Sequence, residues 1–195
     1  MAALAGREAE FDASIALGVA YARAIGVPRM HLMAGLLPPG ASLDAATARY
    51  AKNVALAARA CAEHGIEVLL EPINQRDMPG YFLNTTTQAL EIIDRVGAPN
   101  VRLQLDLYHA QISEGDLARK ISDLAGRYAH VQIAGNPGRH EPDIGEINYP
   151  YLFDLLDASE YAGWVGCEYR PRAGTLEGLG WAKPYGISAA PSLKT

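Results

Sequence analysis

The chain has 195 residues, of which 49% are hydrophobic and 20% are charged, and its formal net charge at pH 7 is −5. This composition supplies enough apolar side chains for one globular core and excludes an intrinsically disordered chain. The acidic balance argues against nucleic acid and anionic membrane surfaces as partners.

The first half of the chain alternates helix and strand. A helix is predicted first, because its apolar residues recur at helical spacing up to Gly26, and a short strand follows over residues 29–34. Ser42 is the expected N-cap of a second helix, which Gly65 terminates. The nearly pure apolar run 66–70 predicts a strand that is buried on both faces.

The second half repeats the same alternation. Asn148 is expected to cap its last helix, with Pro150 in the first turn. Residues after Leu179 show no clear period and are expected to form a loosely attached tail. The predicted elements, in order, are a helix over 85–96, a strand over 101–107, a helix over 117–126, a strand over 130–134, a helix after 148 and a strand over 164–169.

Five strands separated by helices indicate an α/β fold with parallel strands and right-handed crossovers. Two architectures meet this description, an open doubly wound sheet and a (β/α)8 TIM-type barrel. Periodicity alone does not choose between them. The glycine-rich dinucleotide loop and the Walker loop that would favour the first are both missing from the sequence.

No run of apolar residues approaches the ~20 that a membrane-spanning helix needs, so we expect no membrane contact. The N-terminal residues carry no secretory signal. Cys61 and Cys167 are too few for a disulfide framework or a zinc ribbon, and they favour a reducing, cytoplasmic location.

A polar side chain lies near the C-terminal end of each of the last four strands. They are Glu71, Asp106, Gln132 and Glu168. In a barrel such residues converge at the C-terminal mouth, where active sites of that fold lie. A single acid at a strand end is usually a helix cap or half of an ion pair, but four polar residues on successive strands favour a shared site. Because three carboxylates are costly to desolvate without a cation, and oxygen ligands suit hard divalent ions, the pattern predicts a Mg2+ or Mn2+ site.

The segments LLEPIN, LQLDLYHAQ, HVQIAGNPGRHEPDIGEINYPYLF, GCEYRP and GLGW resemble the hydroxypyruvate isomerase family. That family belongs to the xylose isomerase-like (β/α)8 barrels, and the resemblance runs from about residue 5 to about residue 185. It implies one barrel domain over 1–195, with 180–195 as a tail. Complete barrels have ~250 residues, so we expect an N-terminally truncated, incomplete barrel that lacks the first two strand–helix units. Either the chain is a fragment, or its open edges are covered by a partner, as in a homo-oligomer, or by its own tail.

The resemblance also implies roles for the matching residues. Glu71, Asp106, Gln132 and Glu168 would hold the divalent metal, and Glu71 and Glu168 would be the proton donor and acceptor. The implied reaction interconverts hydroxypyruvate and 2-hydroxy-3-oxopropanoate through an enediolate. The implied partner is therefore a small hydroxy-keto acid.

Further candidates follow from position. His109 comes three residues after Asp106 and is a candidate donor to a substrate oxygen. Arg76, Arg139 and Arg170 lie on loops beyond strands and could bind the substrate carboxylate. His31 could line the cavity or pack in the core, and we favour core packing. We expect Cys167 to pack against a helix, and Glu146 to orient its loop or a helix N-terminus.

Other functions remain open. A 2-oxo-tetronate isomerase or a ketose 3-epimerase of the same superfamily would use the same site. The net charge of −5 disfavours a related endonuclease. A catalytically inactive, truncated fragment is the alternative from a different class.

Overall fold

The computed structural model describes residues 1–187. Helices and strands alternate along the chain, as the sequence predicts. In order they are α1 (Glu8–Ile25), β1 (Arg29–His31), α2 (Leu43–Ala62), β2 (Glu67–Leu70), α3 (Thr86–Val96), β3 (Val101–Asp106), α4 (Leu107–Ser113), α5 (Leu117–Asp123), β4 (Tyr128–Ile133), α6 (Tyr149–Ala158), β5 (Val165–Cys167) and a terminal 3₁₀ helix (Glu177–Tyr185).

The five strands form one parallel sheet in the order β1-β2-β3-β4-β5. This neighbour-to-neighbour order is that of a barrel wall, because a doubly wound sheet reverses its strand order part of the way along the chain. The sheet curls into an incomplete TIM-type barrel, which confirms the predicted fold class. The carboxyl ends of all five strands therefore lie at one edge of the sheet.

Side-chain alternation separates an apolar face of the sheet from a polar one. On β3, Leu103 and Leu105 are fully buried in the hydrophobic core, whereas Gln104 and Asp106 lie on the opposite face. The helices cover the apolar face. The predicted stripe of α1 is buried as expected, and it consists of Phe11, Ile15, Val19 and Ala22.

Local capping fixes where the helices begin. The Ser42 side chain accepts a hydrogen bond from the backbone N–H of Ala45, and Asn148 accepts one from Tyr151, so both predicted caps are confirmed. Thr85 caps α3 in the same way, at 3.1 Å from the backbone nitrogen of Gln88.

Helix α4 was not predicted from the sequence. Its first four residues, Leu107 to Ala110, are all buried, so the helix carries no amphipathic stripe that periodicity could reveal. Asp106 ends β3 and caps α4 at once, because its side chain accepts hydrogen bonds from the backbone N–H groups of Tyr108 and His109.

The segment after Leu179 differs from the expected loose tail. The 3₁₀ helix places Trp181 against Phe153 of α6, with ring centroids 6.5 Å apart, and the Trp181 Nε1–H group donates to the Tyr169 hydroxyl at 3.1 Å. The expectation of a loose tail is therefore wrong for residues 180–187. Aromatic packing attaches this segment to α6, and such packing does not require a helical period in the sequence. The remainder of the predicted tail, 188–195, lies outside the described residues. Within residues 1–187, no helix is both long and apolar enough to cross a membrane.

Candidate active site

The parallel register brings the predicted polar residues to one edge of the sheet. Asp106 on β3 pairs with Gln132 on β4, and Gln132 pairs with Gly166 on β5, two residues before Glu168. The Gln132 Nε2 atom donates to the Glu168 carboxylate at 2.8 Å. The Gln104 amide nitrogen donates to the Gln132 amide oxygen. Hydrogen bonds therefore link Gln104, Gln132 and Glu168 in a row along this edge.

Glu71, Asp106 and His109 form the buried centre of this edge. One ligand atom from each of the three lies within 4.8 Å of those of the other two. Asp106 Oδ1 accepts from the backbone N–H groups of Tyr108 and His109, at 2.8 and 3.2 Å. Its other oxygen, Oδ2, is buried and has no hydrogen-bond partner among the described residues. The nearest cation of the chain to this oxygen is the Arg139 guanidinium at 3.8 Å, beyond hydrogen-bond distance, so Oδ2 can still accept a hydrogen bond or bind a cation.

Burial and mutual repulsion raise the proton affinity of these acids. Burial raises the pKa of Glu71 to about 8, with further contributions from the negative charges of Asp106 and Glu168. Burial also raises the pKa of Asp106 to about 6. The three carboxylates therefore favour binding of positive charge, and their oxygens are ligands that suit a hard divalent ion.

Arg139 is the cation that this chain itself supplies to the cluster. Its guanidinium lies 3.3 Å from Glu168, 3.8 Å from Asp106 and 3.8 Å from Asp77. It also lies over the Tyr108 ring, 5.1 Å from the centroid. The backbone of Arg139 has a φ of +53°, which non-glycine residues adopt uncommonly.

His109 lies inside the site, and 2% of its side chain is exposed. Its Nδ1 atom is 2.6 Å from the Asn74 amide nitrogen, and its Nε2 atom is 3.8 Å from Asp106 Oδ2. Burial is the largest cause that lowers the pKa of His109 to about 4, so the imidazole is neutral at pH 7.

His31 also faces this site, and the expectation that it packs in the apolar core is wrong. Its Nδ1 atom lies 3.3 Å from the Glu71 carboxylate. The strand pairing explains the contact, because His31 on β1 is opposite Leu69 on β2, and Leu69 and Glu71 share one face. Burial lowers the pKa of His31 to about 4.

Other predicted residues lie apart from the cluster. The side chains of Arg76 and Arg170 are exposed, and neither forms an ion pair within residues 1–187. Glu146 accepts hydrogen bonds from Asn136 and Gln111, which ties its loop to α4 and supports the loop-orienting role. Cys167 is exposed, although it borders a groove beside Phe153 of α6.

Sequence reasoning missed Asn74 and left Gln104 without a role. Gln104 could have been found, because it lies two residues before Asp106 on the same face of β3. Asn74 follows β2 in a loop, and no periodic pattern marks its contact with His109, which is 35 residues away.

The chain resembles known proteins over nearly its whole length. A family model described as xylose isomerase-like TIM barrel matches residues 3–185. A 2-oxo-tetronate isomerase from Cupriavidus necator is 56% identical, and the match covers 95% of this chain and 71% of the relative. The hydroxypyruvate isomerase from Escherichia coli is 44% identical, with 95% and 72% covered.

Solved structures agree with this relationship. A structure described as an AP endonuclease, family 2, from Brucella melitensis superposes with a TM-score of 0.92 at 49% identity, covering 95% of this chain and 71% of that one. An L-ribulose 3-epimerase superposes with a TM-score of 0.78 at 26% identity, covering 100% of this chain and 65% of that one. With its parallel strand order and its acid cluster at the C-terminal edge, the chain thus belongs to the xylose isomerase-like TIM barrel family, and its resemblance to named isomerases makes it an isomerase-type enzyme.

Proposed function

We propose that this site moves a carbonyl group between C2 and C3 of a short hydroxy-keto acid with the help of a divalent metal. The observation that carries the proposal is the buried, unpartnered Oδ2 atom of Asp106 beside Glu71. Arg139 approaches this atom only to 3.8 Å and donates no hydrogen bond to it, so the oxygen can accept a ligand from outside the chain.

Glu71, Asp106, Gln132 and Glu168 are the residues that would hold the metal, which we expect to be Mg2+ or Mn2+. Their donor set consists of three carboxylates and one amide oxygen, and hard divalent ions prefer such oxygens. A bound ion of this kind would supply Lewis acidity that makes the C–H group next to a carbonyl easier to deprotonate.

Two carboxylates of this chain can move the proton. Glu168 is ion-paired with Arg139 and accepts a hydrogen bond from Gln132, which are contacts of an ionised base. Glu71 is buried with a raised pKa, which suits a group that carries a proton. We assign proton removal from C3 of the keto acid to Glu168 and proton return at C2 to Glu71. A proton leaves C3 and a proton arrives at C2, while the proton of the C3 hydroxyl is transferred to the oxygen on C2. Atoms and electrons therefore balance, and no redox cofactor is required.

Arg139 and His109 would bind the substrate. A guanidinium binds a carboxylate through two parallel N–H groups, and Arg139 is the one predicted substrate-binding arginine that the fold places at the acid cluster within residues 1–187. His109 faces the same space and would donate to a substrate oxygen. Arg76 and Arg170 remain predictions as carboxylate-binding residues, and their exposed positions give them no support.

Hydroxypyruvate is the first substrate to test, and it would be converted to 2-hydroxy-3-oxopropanoate. The 56% identity to a 2-oxo-tetronate isomerase favours a second candidate with the same reacting atoms and one additional hydroxymethyl group. A ketose 3-epimerase would act on a neutral sugar, which offers Arg139 no carboxylate. A cytoplasmic location and a homo-oligomer also remain predictions.

The test is turnover in D2O, followed by NMR, with the Mn2+- or Mg2+-loaded protein and each substrate. Proton transfer through an enediolate incorporates solvent deuterium at C2 of the product, whereas an internal hydride shift does not. We expect deuterated product, and Glu168→Gln should abolish its formation without unfolding the chain. Product free of deuterium would overturn the assigned mechanism. A folded, metal-binding protein that turns over neither substrate would instead favour the inactive fragment.

A further inference from the structure

The orientation of the Asn74 side chain is fixed by its surroundings. Asn74 is fully buried, and its Oδ1 atom accepts a hydrogen bond from the backbone N–H of Asp77 at 2.8 Å. A backbone N–H group can only donate, so the atom that faces Asp77 must be the amide oxygen. The other atom of the amide is therefore the nitrogen, which donates to the Asp77 carboxylate at 3.4 Å and lies against His109.

This orientation decides which nitrogen of His109 carries the proton. The Asn74 amide nitrogen is 2.6 Å from His109 Nδ1, and the Asn74 backbone N–H donates to the same atom at 3.4 Å. Both groups are donors, so Nδ1 must be the acceptor and cannot carry a hydrogen. In a neutral imidazole the hydrogen then lies on Nε2.

The Nε2–H group faces the acid cluster. Nε2 is 3.8 Å from Asp106 Oδ2, which is too far for a hydrogen bond between the two residues. The Nε2–H group of His109 is therefore free to donate a hydrogen bond to a ligand that binds beside Asp106. A nitrogen that carries a hydrogen has no free lone pair in the ring plane and cannot bind a metal. The contact with Asn74 thus prevents His109 from coordinating the metal, although the His109 ring lies within 4.8 Å of Glu71 and Asp106.

We propose that Asn74 is a positioning residue that holds His109 in the Nε2–H tautomer, so that His109 donates a hydrogen bond to a substrate oxygen and does not ligate the metal. The role in substrate binding rests on the proposed function. The tautomer does not, because it follows from the contacts of the chain alone.

Long-range 1H–15N NMR of the uniformly labelled full chain tests the tautomer without turnover. The chain has five histidines, and His109→Gln identifies the signals of His109 by their loss. We expect a pyrrole-like Nε2 and a pyridine-like Nδ1 at pH 7.5, both with EDTA and with excess Mg2+. A proton on Nδ1 in either condition would overturn the proposal.

Asn74→Asp is the discriminating variant, because a carboxylate of the same shape presents an acceptor to Nδ1 and leaves only the longer backbone N–H contact, at 3.4 Å, as a donor. We expect His109 to carry its proton on Nδ1 in this variant, and kcat/KM to fall by about 10- to 100-fold, as is typical when a residue that orients a site group is lost. Asn100→Asp is the matched control, because the Asn100 amide donates to two backbone carbonyls far from the site. This control should leave the tautomer and kcat/KM unchanged.

The outcomes separate the two proposals. An unchanged tautomer in a folded Asn74→Asp variant would remove Asn74 from its positioning role, whatever the activity. If Asn74→Asp does not fold, the wild-type spectrum still decides. An Nε2–H tautomer in a wild-type protein without isomerase activity would contradict the proposed function and leave the positioning contact intact.

Discussion

The guanidinium of Arg139 lies 3.3 Å from the carboxylate of Glu168, and this ion pair closes the acid cluster on the side of β5. The same guanidinium lies 3.8 Å from Asp106 Oδ2, the buried oxygen that accepts no hydrogen bond among the described residues. Arg139 therefore neutralises part of the charge that would otherwise attract a metal ion. Metal and arginine are electrostatic competitors for the same carboxylates.

The first prediction concerns this competition. Arg139→Gln should raise the affinity for Mn2+ by about tenfold, because one positive charge next to the ligands is worth on the order of 1 kcal/mol. The same variant should raise KM for the keto acid more than it lowers kcat, because its carboxylate loses a partner. Calorimetric titration with Mn2+ measures the first effect. Arg119→Gln is the control, since the Arg119 side chain is 75% exposed and pairs with Asp123 on its own helix. Unchanged or weaker Mn2+ binding by Arg139→Gln would contradict the prediction.

The second prediction concerns pH and Glu71. Burial raises the pKa of Glu71 from 4.5 to about 8 in the metal-free fold, so between these values the folded state holds a proton that the unfolded chain has released. The free energy of unfolding therefore falls as the pH rises through this window, by about 1 kcal/mol per pH unit from this group. Glu71→Gln should remove this loss, and its stability relative to the wild type should increase from pH 5 to pH 8.

Urea unfolding in EDTA at several pH values measures that difference. The N-terminal amine, whose pKa is lowered to about 6 mainly by burial, titrates in both proteins, so its contribution cancels when the two are compared. A constant difference between wild type and Glu71→Gln across the window would show that Glu71 is ionised in the metal-free fold.

The third prediction separates the two functions of Asp106. Excess Mn2+ should raise the Tm of the wild type, because a ligand that binds only the folded state stabilises it by about 2.7 kcal/mol at a hundredfold excess over Kd. Asp106→Asn should lose this shift while it keeps the cap of α4, since an amide oxygen still accepts from Tyr108 and His109. Asp106→Ala should lose both, with a further cost of about 1 kcal/mol for the missing cap. An Asp106→Asn variant with the full Mn2+ shift would exclude Asp106 from the ligands.

The fourth prediction concerns the terminal 3₁₀ helix. Trp181→Ala should lower the free energy of unfolding by about 2 kcal/mol, because Trp181 packs on Phe153 and donates to Tyr169. The Mn2+-induced shift in Tm should persist, since Trp181 packs on Phe153, Tyr169 and Tyr185 and these contacts involve none of the four proposed ligands. Trp164→Ala is the matched control, because Trp164 is 79% exposed. Equal stabilities of the two variants would show that the 3₁₀ helix contributes nothing to the fold.

Local sequence patterns were sufficient to predict the order of the strands and of the helices between them, except for α4 and the terminal 3₁₀ helix, and also the edge of the sheet at which the polar residues meet. Helical spacing identified the buried face of α1, and the caps at Ser42 and Asn148 marked two helix starts. These features depend on residues a few positions apart, so they can be recognised in the chain without its fold. The placement of Glu71 and Asp106 at strand ends follows from the same local patterns.

The tertiary structure alone decided how the site residues contact one another. The Asn74–His109 contact joins residues 35 positions apart, and the contact of His31 with Glu71 crosses from β1 to the end of β2. Arg139 meets Glu168 only because β4 and β5 are neighbours in the sheet. Sequence periodicity reports which face of an element is buried, but not which distant side chain lies opposite it. That depends on strand register and loop conformation, which exist only in the folded chain.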